Sequence, residues 1–386
     1  MKITYIAKTV IPSTRANSIH IMKMCQAFGA NKHYVKLLVP DFPPEVKRVQ
    51  DAYAFYGVER NFDLIKLDWP ELPGKSLWFG RNAAKRAAQD FTDLVYTRFL
   101  PGAYFAAARG IPVIFEAHDT LENIDGIQKF LFKRLLKSPS LGRIVVISEV
   151  LKKMLIEIYQ IPGEKILVAH DGADIPIQKR IPNPAKADAG RLKVGYIGHL
   201  YPGRGMELIP EMAKAIKHAD FHVIGGNDQD IQYWKEHTSD IRNIIFHGFL
   251  PPSEVEAYRN TLDIMLAPYQ KKVTILGEGD TSRWMSPLKI FEYMASRKPM
   301  VVSDLPVLRE VLNEKNAMLV EPDSKEAWIG AIRKLEDPQK RENLAERAFQ
   351  DFLKHYTWTK RAQYVLSPDF SSPMRNPLCK SFGAEA

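Results

Sequence analysis

Cysteine is nearly absent from this sequence: Cys25 and Cys379 are the only two in 386 residues. Their separation argues against a disulfide framework or a cysteine-based zinc site and fits a reducing compartment. No run of about 18 apolar residues occurs, so nothing reads as a membrane span. The N-terminus, from Met1 to Lys8, is a strand-like run stopped by a lysine, without the apolar core or cleavage site of a signal peptide. A Gly-x-Gly-x-x-Gly fingerprint is also missing, which removes the usual dinucleotide-binding signal. Negative charge is short: 45 Asp and Glu stand against 54 Lys and Arg, a net +9.

What remains is an ordinary globular composition, 45% hydrophobic and 26% charged, at a length suited to two or three domains. The basic excess sits in the first half. Residues 1–180 carry 26 Lys and Arg against 18 Asp and Glu, and the remainder 28 against 27. Such asymmetry suggests an anionic partner (a membrane surface, a phosphorylated acceptor or nucleic acid), although a plain solvated surface would look the same. No recognised nucleic-acid motif accompanies it.

Short β-branched runs alternate with amphipathic stretches. Strands are expected at Lys2–Ala7, Tyr34–Val39, Asp63–Leu67, Leu94–Thr97, Val113–Phe115, Arg143–Ile147 and Ile166–Ala169. A helix is expected over Ser18–Phe28, where Ile21, Met24, Cys25 and Phe28 share one face and Cys25 is a core residue. Proline-rich Pro176–Pro184, followed by an Ala/Asp/Gly stretch to Gly190, marks a linker. A second strand series follows from Leu192 to Val320. Strand–helix alternation implies parallel sheets covered on both faces, so the expected fold is α/β, two doubly wound domains with ligands beyond the carboxyl ends of the strands.

One stretch stands out, Ser286-Pro287-Leu288-Lys289-Ile290-Phe291-Glu292-Tyr293-Met294-Ala295. It reads as a helix start, with Ser286 as N-cap and Pro287 at the first helical position. Lys289 opposes the positive end of the helix dipole, which makes sense if an anion rests on the amides of Leu288 and Lys289. Glu292 shares its face and suits sugar hydroxyls. The bland alternative is a surface helix with a solvated ion pair. Arg204, in Gly198-His199-Leu200-Tyr201-Pro202-Gly203-Arg204-Gly205, is a second cation at a helix entrance, suited to bonding two phosphate oxygens.

Together with Val223-Ile224-Gly225-Gly226 and His247-Gly248-Phe249, these motifs resemble the retaining glycosyltransferases of family 4, in the subgroup with the Ser-Pro-Leu-Lys turn. In the first half, Phe115-Glu116-Ala117-His118-Asp119, Val146-Ile147-Ser148-Glu149 and Asp171-Gly172-Ala173-Asp174 extend the resemblance over nearly the whole chain. It implies the GT-B architecture. Residues 1–180 would form an acceptor-binding Rossmann-like domain and 181–354 a nucleotide-sugar-binding one across a cleft. Residues 355–366 would be a final helix returning to the first domain, and 367–386 an unstructured tail. It implies a donor diphosphate on Arg204 and Lys289, with ribose on Glu292. The backbone at Ser286, Pro287 and Leu288 would lie against the donor, with Gly198, His199, Gly225 and Phe249 around it. His118 would serve the reacting sugar, with Arg15, Ala16 and Asp119 on the acceptor side.

Two departures matter. Many family members carry a glutamate where this chain has Trp284, so the sugar would be held by Asp280, Thr281 or backbone. The turn Pro12–Ser18 lacks the common Gly-Gly pair, leaving Ala16 and Ser18 as the small residues. Asp228-Gln229-Asp230 has a metal-binding spacing but reads as helix capping. Residues 127–137 form a basic amphipathic segment, either a lipid-facing surface or a core-packed helix with a solvated face.

The expected activity is retaining transfer of a hexose from a UDP- or GDP-linked sugar to a glycan or lipid-linked acceptor in polysaccharide or lipopolysaccharide-type synthesis. No cofactor and no metal are expected. The setting would be cytoplasmic, with peripheral contact to anionic membrane and no nucleic-acid partner. A sugar-nucleotide epimerase, a phosphorylase of the same fold using pyridoxal phosphate, or a basic nucleic-acid-binding protein are the alternatives.

Overall fold

The computed structural model describes residues 1–46, 49–71, 73–176, 190–275 and 278–367. By contact density the chain divides into two units, residues 1–171 with the segment starting at Trp358, and residues 172–357.

In the first unit seven runs become one sheet: β1 Lys2–Ile6, β2 Tyr34–Pro40, β3 Asp63–Leu67, β4 Leu94–Thr97, β5 Val113–Ala117, β6 Leu141–Val146 and β7 Ile166–Val168. Their order is β3-β2-β1-β4-β5-β6-β7, and every neighbouring pair is parallel. A parallel sheet hides both faces, so successive residues must all tolerate burial. In β1, Ile3, Thr4, Tyr5 and Ile6 do. The order reverses between β1 and β4, where open α/β sheets bind ligands beyond the strand ends. Helix Ala16–Ala30 buries Ile21, Met24, Cys25 and Phe28, so Cys25 is the core residue its stripe implied. Helix Trp358–Leu366 packs beside it, with Asn31 Nδ2 donating to the Thr359 carbonyl at 3.0 Å.

The second unit repeats the design with β8 Leu192–Ile197, β9 Ala219–Ile224, β10 Ile244–Gly248, β11 Ile264–Ala267, β14 Met300–Ser303 and β15 Met318–Val320, in the order β10-β9-β8-β11-β14-β15. Between β11 and β14 lies an antiparallel hairpin, β12 Thr274–Ile275 and β13 Glu278–Asp280. Side chains alternate across the parallel strands and build one core on each face. Val194, Tyr196, Phe221, Val223 and Leu266 join Met212 and Trp328 on one side. Ile197, Ile224, Met265 and Val302 join Phe291, Tyr293 and Met294 on the other. This order reverses between β8 and β11.

Strand positions expected from sequence fall within a residue or two of these bounds, which is the ordinary uncertainty of element ends. One local expectation is corrected. The helix begins at Leu288, with Pro287 in the capping position and no side-chain cap, rather than at Pro287 with Ser286 as the cap. Most of the expected linker and tail, residues 177–189 and 368–386, lies outside the described residues.

Candidate functional site

In the second unit, the carboxyl end of β8 runs into Gly198, whose φ of 150° suits glycine. A Cβ there would stand 2.7 Å from Lys289 Nζ, so this position keeps room for the lysine. Gly205, at φ 83°, is forced similarly: a Cβ would collide with the Pro268 carbonyl. These turns bring Arg204 and Lys289 to one place. Lys289 Nζ lies 4.3 Å from the Tyr196 ring centroid and 5.2 Å from that of Tyr269; the Arg204 guanidinium lies 5.6 Å from the same Tyr269 ring. Burial and then the Arg204 charge push the Lys289 ammonium well below the usual lysine range, with Glu292 opposing. Among the described residues no carboxylate pairs with either cation, and Arg204 Nε is buried without a hydrogen-bond partner. Two neighbouring cations on aromatic rings, beside helix amides that no side chain caps, form a site built for an anion.

The neighbouring residues are arranged around that pair. Tyr196 donates its hydroxyl to the His199 carbonyl at 2.5 Å, and the His199 ring stacks on Tyr201 with centroids 4.8 Å apart. Burial, Arg204 and Lys289 together lower His199 to about 4. Glu292 forms no ion pair with Lys289; its Oε2 lies 2.9 Å from Arg259 Nη1, on helix Pro252–Thr261. Ser286 is buried, Gly225 packs against the Gly198 carbonyl, and Phe249 is 42% exposed.

The first unit holds a second constellation at the carboxyl ends of β5 and β7. Glu116, 1% exposed, accepts from Tyr96 Oη at 2.5 Å through Oε2 and from Arg361 Nη2 at 2.7 Å through Oε1. His118 Nε2 stands 2.7 Å from the same Oε1. His20 Nε2 faces both Glu116 Oε1 and Asp171 Oδ1 at 3.2 Å, and its ring meets those of His118 and Trp358 edge-on. Burial alone would raise the Glu116 carboxyl, but Arg361, then His20 and His118, hold it well below its usual range. Burial and Arg98 push His118 down to about 4 against the pull of Glu116. At neutral pH the pair is therefore a carboxylate and a neutral imidazole. With Oε1 an acceptor, the imidazole hydrogen sits on Nε2 and Nδ1 is the basic nitrogen.

The description Glycosyltransferase Family 4 matches residues 18–175, and Glycosyl transferases group 1 matches residues 191–337. The chain belongs to glycosyltransferase family 4. Among curated relatives, TuaH of Bacillus subtilis strain 168, by name assigned to teichuronic acid biosynthesis as a glycosyltransferase, is 26% identical over 142 residues. That match spans 37% of this chain and 34% of TuaH, about a third of the relative's length. Among solved structures, sucrose-phosphate synthase from Thermosynechococcus elongatus aligns with TM-score 0.69 at 16% identity, over 94% of this chain and 96% of that one. Anabaena HepE, solved in complex with UDP and glucose, aligns with TM-score 0.68 at 15% identity, over 95% and 98%. These likenesses give the fold, which is GT-B.

Within this family 4 chain, several expected residues are engaged otherwise. Exposed Arg15, expected on the acceptor side, pairs with Glu45 Oε2 at 3.3 Å, beside exposed Ala16. Asp119 Oδ1 accepts from Thr120 Oγ1 and the Leu121 amide, bracing its own turn. Asp280 Oδ1 accepts from the Val273 and Ser282 amides, both at 2.9 Å, and the Thr281 hydroxyl donates to the Val273 carbonyl. Those contacts brace the hairpin loop. Asp228 and Asp230 occupy the first turn of helix Asp228–His237, whose cap is Asn227.

Donor atoms of His20, Glu116, His118 and Asp171 lie within 4.8 Å of one another, a spacing a metal could use. Arg361 Nη2 already supplies a cation at Glu116 Oε1, so the donor set suits a metal poorly. Helix Gly126–Leu136 carries the basic segment, packed on one side and exposed on the other. Leu131, Phe132 and Leu135 are buried, while Lys129, Lys133, Arg134 and Lys137 are exposed together with Ile127 (59%) and Phe130 (53%). No helix among the described residues is long and apolar enough to cross a membrane. Sequence reasoning missed Arg361, Asp171 and His20, which complete the Glu116 constellation of the first unit, and Arg259, Tyr196 and Tyr269 around Glu292 and Lys289 in the second unit.

Proposed function

We propose that this chain transfers a hexose from a nucleoside diphosphate sugar, UDP- or GDP-linked, to a glycan or lipid-linked acceptor with retention of anomeric configuration. The observation that carries the reading is the unanswered pair Arg204 and Lys289, sharing the Tyr269 ring. A diphosphate supplies the missing negative charge, and the leaving diphosphate is where charge develops as the glycosidic bond breaks. Cations fixed in advance there stabilise the transition state at no cost of reorganisation. Glu292, held by Arg259, takes the ribose hydroxyls. His118 accepts a hydrogen bond from a sugar hydroxyl or carries charge during cleavage. The family resemblance supports a front-face route through an oxocarbenium-like state without a covalent sugar intermediate or an obligatory metal.

The biosynthetic setting is envelope glycan assembly, supported by TuaH and by the basic first half. The exposed Ile127 and Phe130, set among four cations, support peripheral contact with anionic lipid on the cytoplasmic side. A thermal-shift series with UDP, GDP, ADP and dTDP sugars is the primary test, because a bound donor raises the melting temperature by mass action. Stabilisation by a donor and by its free diphosphate, with an α product from an α donor by NMR, supports the reading. No shift with any nucleotide sugar overturns it. Conversion of donor without acceptor would mark an epimerase instead. Co-sedimentation with vesicles of rising anionic-lipid content tests the surface contact, and its absence at low salt removes that part.

A further inference from the structure

We propose that Arg361, carried on the C-terminal helix, is a positioning residue: it fixes the Glu116 carboxylate, and through it the orientation and tautomer of His118. The inference rests on the sugar-transfer reading for its effect on rate, but its geometric part stands alone.

Arg361 is 1% exposed, and its guanidinium is fully directed. Nε donates to the His170 carbonyl at 2.8 Å, and Nη2 donates to the Ala169 carbonyl at 3.0 Å and to Glu116 Oε1 at 2.7 Å. Nη1 faces Met24 Sδ at 3.2 Å, and the plane lies 5.9 Å from the Trp358 ring centroid. Three backbone and side-chain acceptors thus hold one rigid fork, a fit that lysine cannot reproduce. Glu116 Oε1 is the atom that meets both Arg361 and His118. An acceptor pinned there admits the imidazole only with its hydrogen on Nε2, leaving Nδ1 as the nitrogen able to take a proton or a hydrogen bond. A helix needed for packing alone has no reason to bury a cation on its apolar stripe.

The groups facing His118 are Glu116 on its own strand, His20 on helix Ala16–Ala30, Arg98 after β4, Asp171 after β7 and Arg361 on the final helix. Removing the Arg361 cation makes proton uptake by the coupled Glu116–His118 pair easier, so the pair's apparent pKa rises.

The experiment uses full-length protein with Arg361→Gln and Arg361→Lys. Imidazole 15N spectra of histidine-labelled protein, assigned with His118→Asn, read the tautomer without any activity. Wild type is expected to show hydrogen on Nε2 at neutral pH, and Arg361→Gln a mixed or inverted tautomer. In turnover, Arg361→Gln is expected to lower kcat about tenfold or more with donor KM nearly unchanged. The acidic limb of its kcat/KM profile should move up by about one pH unit. Arg361→Lys should recover part of the rate.

A folded Arg361→Gln with the wild-type tautomer and profile overturns the proposal. If that variant does not fold, Arg361→Lys carries the test. Its ammonium can stand in for Nη2 at Glu116 and the Ala169 carbonyl but leaves the His170 carbonyl without its Nε donor and the carboxylate without a rigid fork, so wild-type spectra and kcat in it are equally decisive against us. A wild-type protein that turns over no nucleotide sugar sinks the transferase reading and leaves the 15N result to judge the positioning claim by itself.

Discussion

The two units treat buried charge in opposite ways. In the first, the Glu116 carboxylate is answered: Arg361 and Tyr96 hold its two oxygens, and His20 Nε2 stands 3.2 Å from it and from Asp171. In the second, Arg204 and Lys289 rest on aromatic rings with no carboxylate among the described residues to neutralise them. A neutralised cluster is finished when the chain folds and serves to hold its members still. An unneutralised one is unfavourable until something anionic arrives. The difference separates a preorganised scaffold from a binding site, although both lie at the carboxyl ends of parallel strands.

The comparison breaks first on stability. Removing one member of a buried ion pair leaves the other charged and unpartnered, so Arg361→Met should destabilise the protein by about 3–5 kcal/mol. Denaturant unfolding of Arg361→Met beside the double variant Glu116→Gln/Arg361→Met checks this. The double variant should recover most of the loss, and equal losses would mean that Arg361 matters only for packing. Lys289→Met should do the reverse, leaving the unliganded melting temperature unchanged or higher, because it removes a charge that folding has buried without compensation. A clear drop would show that the lysine is structural.

Function gives the next largest effect. Lys289→Ala or Arg204→Ala should lower kcat/KM by about 10²-fold or more with the fold intact. Steady-state kinetics on folded variants decides it, and wild-type turnover in the double variant removes both residues from the mechanism.

Much of this was legible in the sequence, for definite reasons. The strands were visible because buried parallel strands need uninterrupted apolar runs, as in Leu192–Ile197. Lys289 and Arg204 were visible because each reads as a cation at a helix entrance; the helix does begin at Leu288, whereas Arg204 precedes a short 3-10 turn, Met206–Leu208, and its α-helix starts only at Ile209. Arg361 was harder, since it meets Glu116 across 245 residues and no short window contains both. A signal did exist. Trp358, Arg361, Ala362 and Val365 recur at helical spacing and are all buried, so Arg361 occupies a core position of its own stripe. A cation there requires a buried acid. The turn role of Asp280 was not legible, because an acid beside an expected sugar site can equally accept from the amides of its own turn.

A smaller effect should follow from Arg259, which pairs with Glu292 where the bland alternative had Lys289. If Glu292 takes the ribose hydroxyls, Arg259→Gln should weaken donor binding by about tenfold, the worth of one charge-assisted contact. The same substitution should hardly affect affinity for inorganic pyrophosphate. Titration calorimetry with both ligands separates the outcomes, and an equal loss for both would place Arg259 with the phosphate cations.

The smallest signal concerns protons. Burial and Arg204 hold free Lys289 below its ordinary range, and a bound diphosphate would lift it again. Between the lowered free value and the raised bound value, binding must take up protons, and affinity must fall as pH rises through the free value. Calorimetry of UDP binding in buffers of different ionisation enthalpy measures that uptake directly. It should vanish in Lys289→Met and persist in Arg361→Lys, because the Glu116 carboxylate of the first unit keeps a cation in that variant. Uptake that survives in Lys289→Met would move the titrating group elsewhere and make the second unit's cations as settled as the first's.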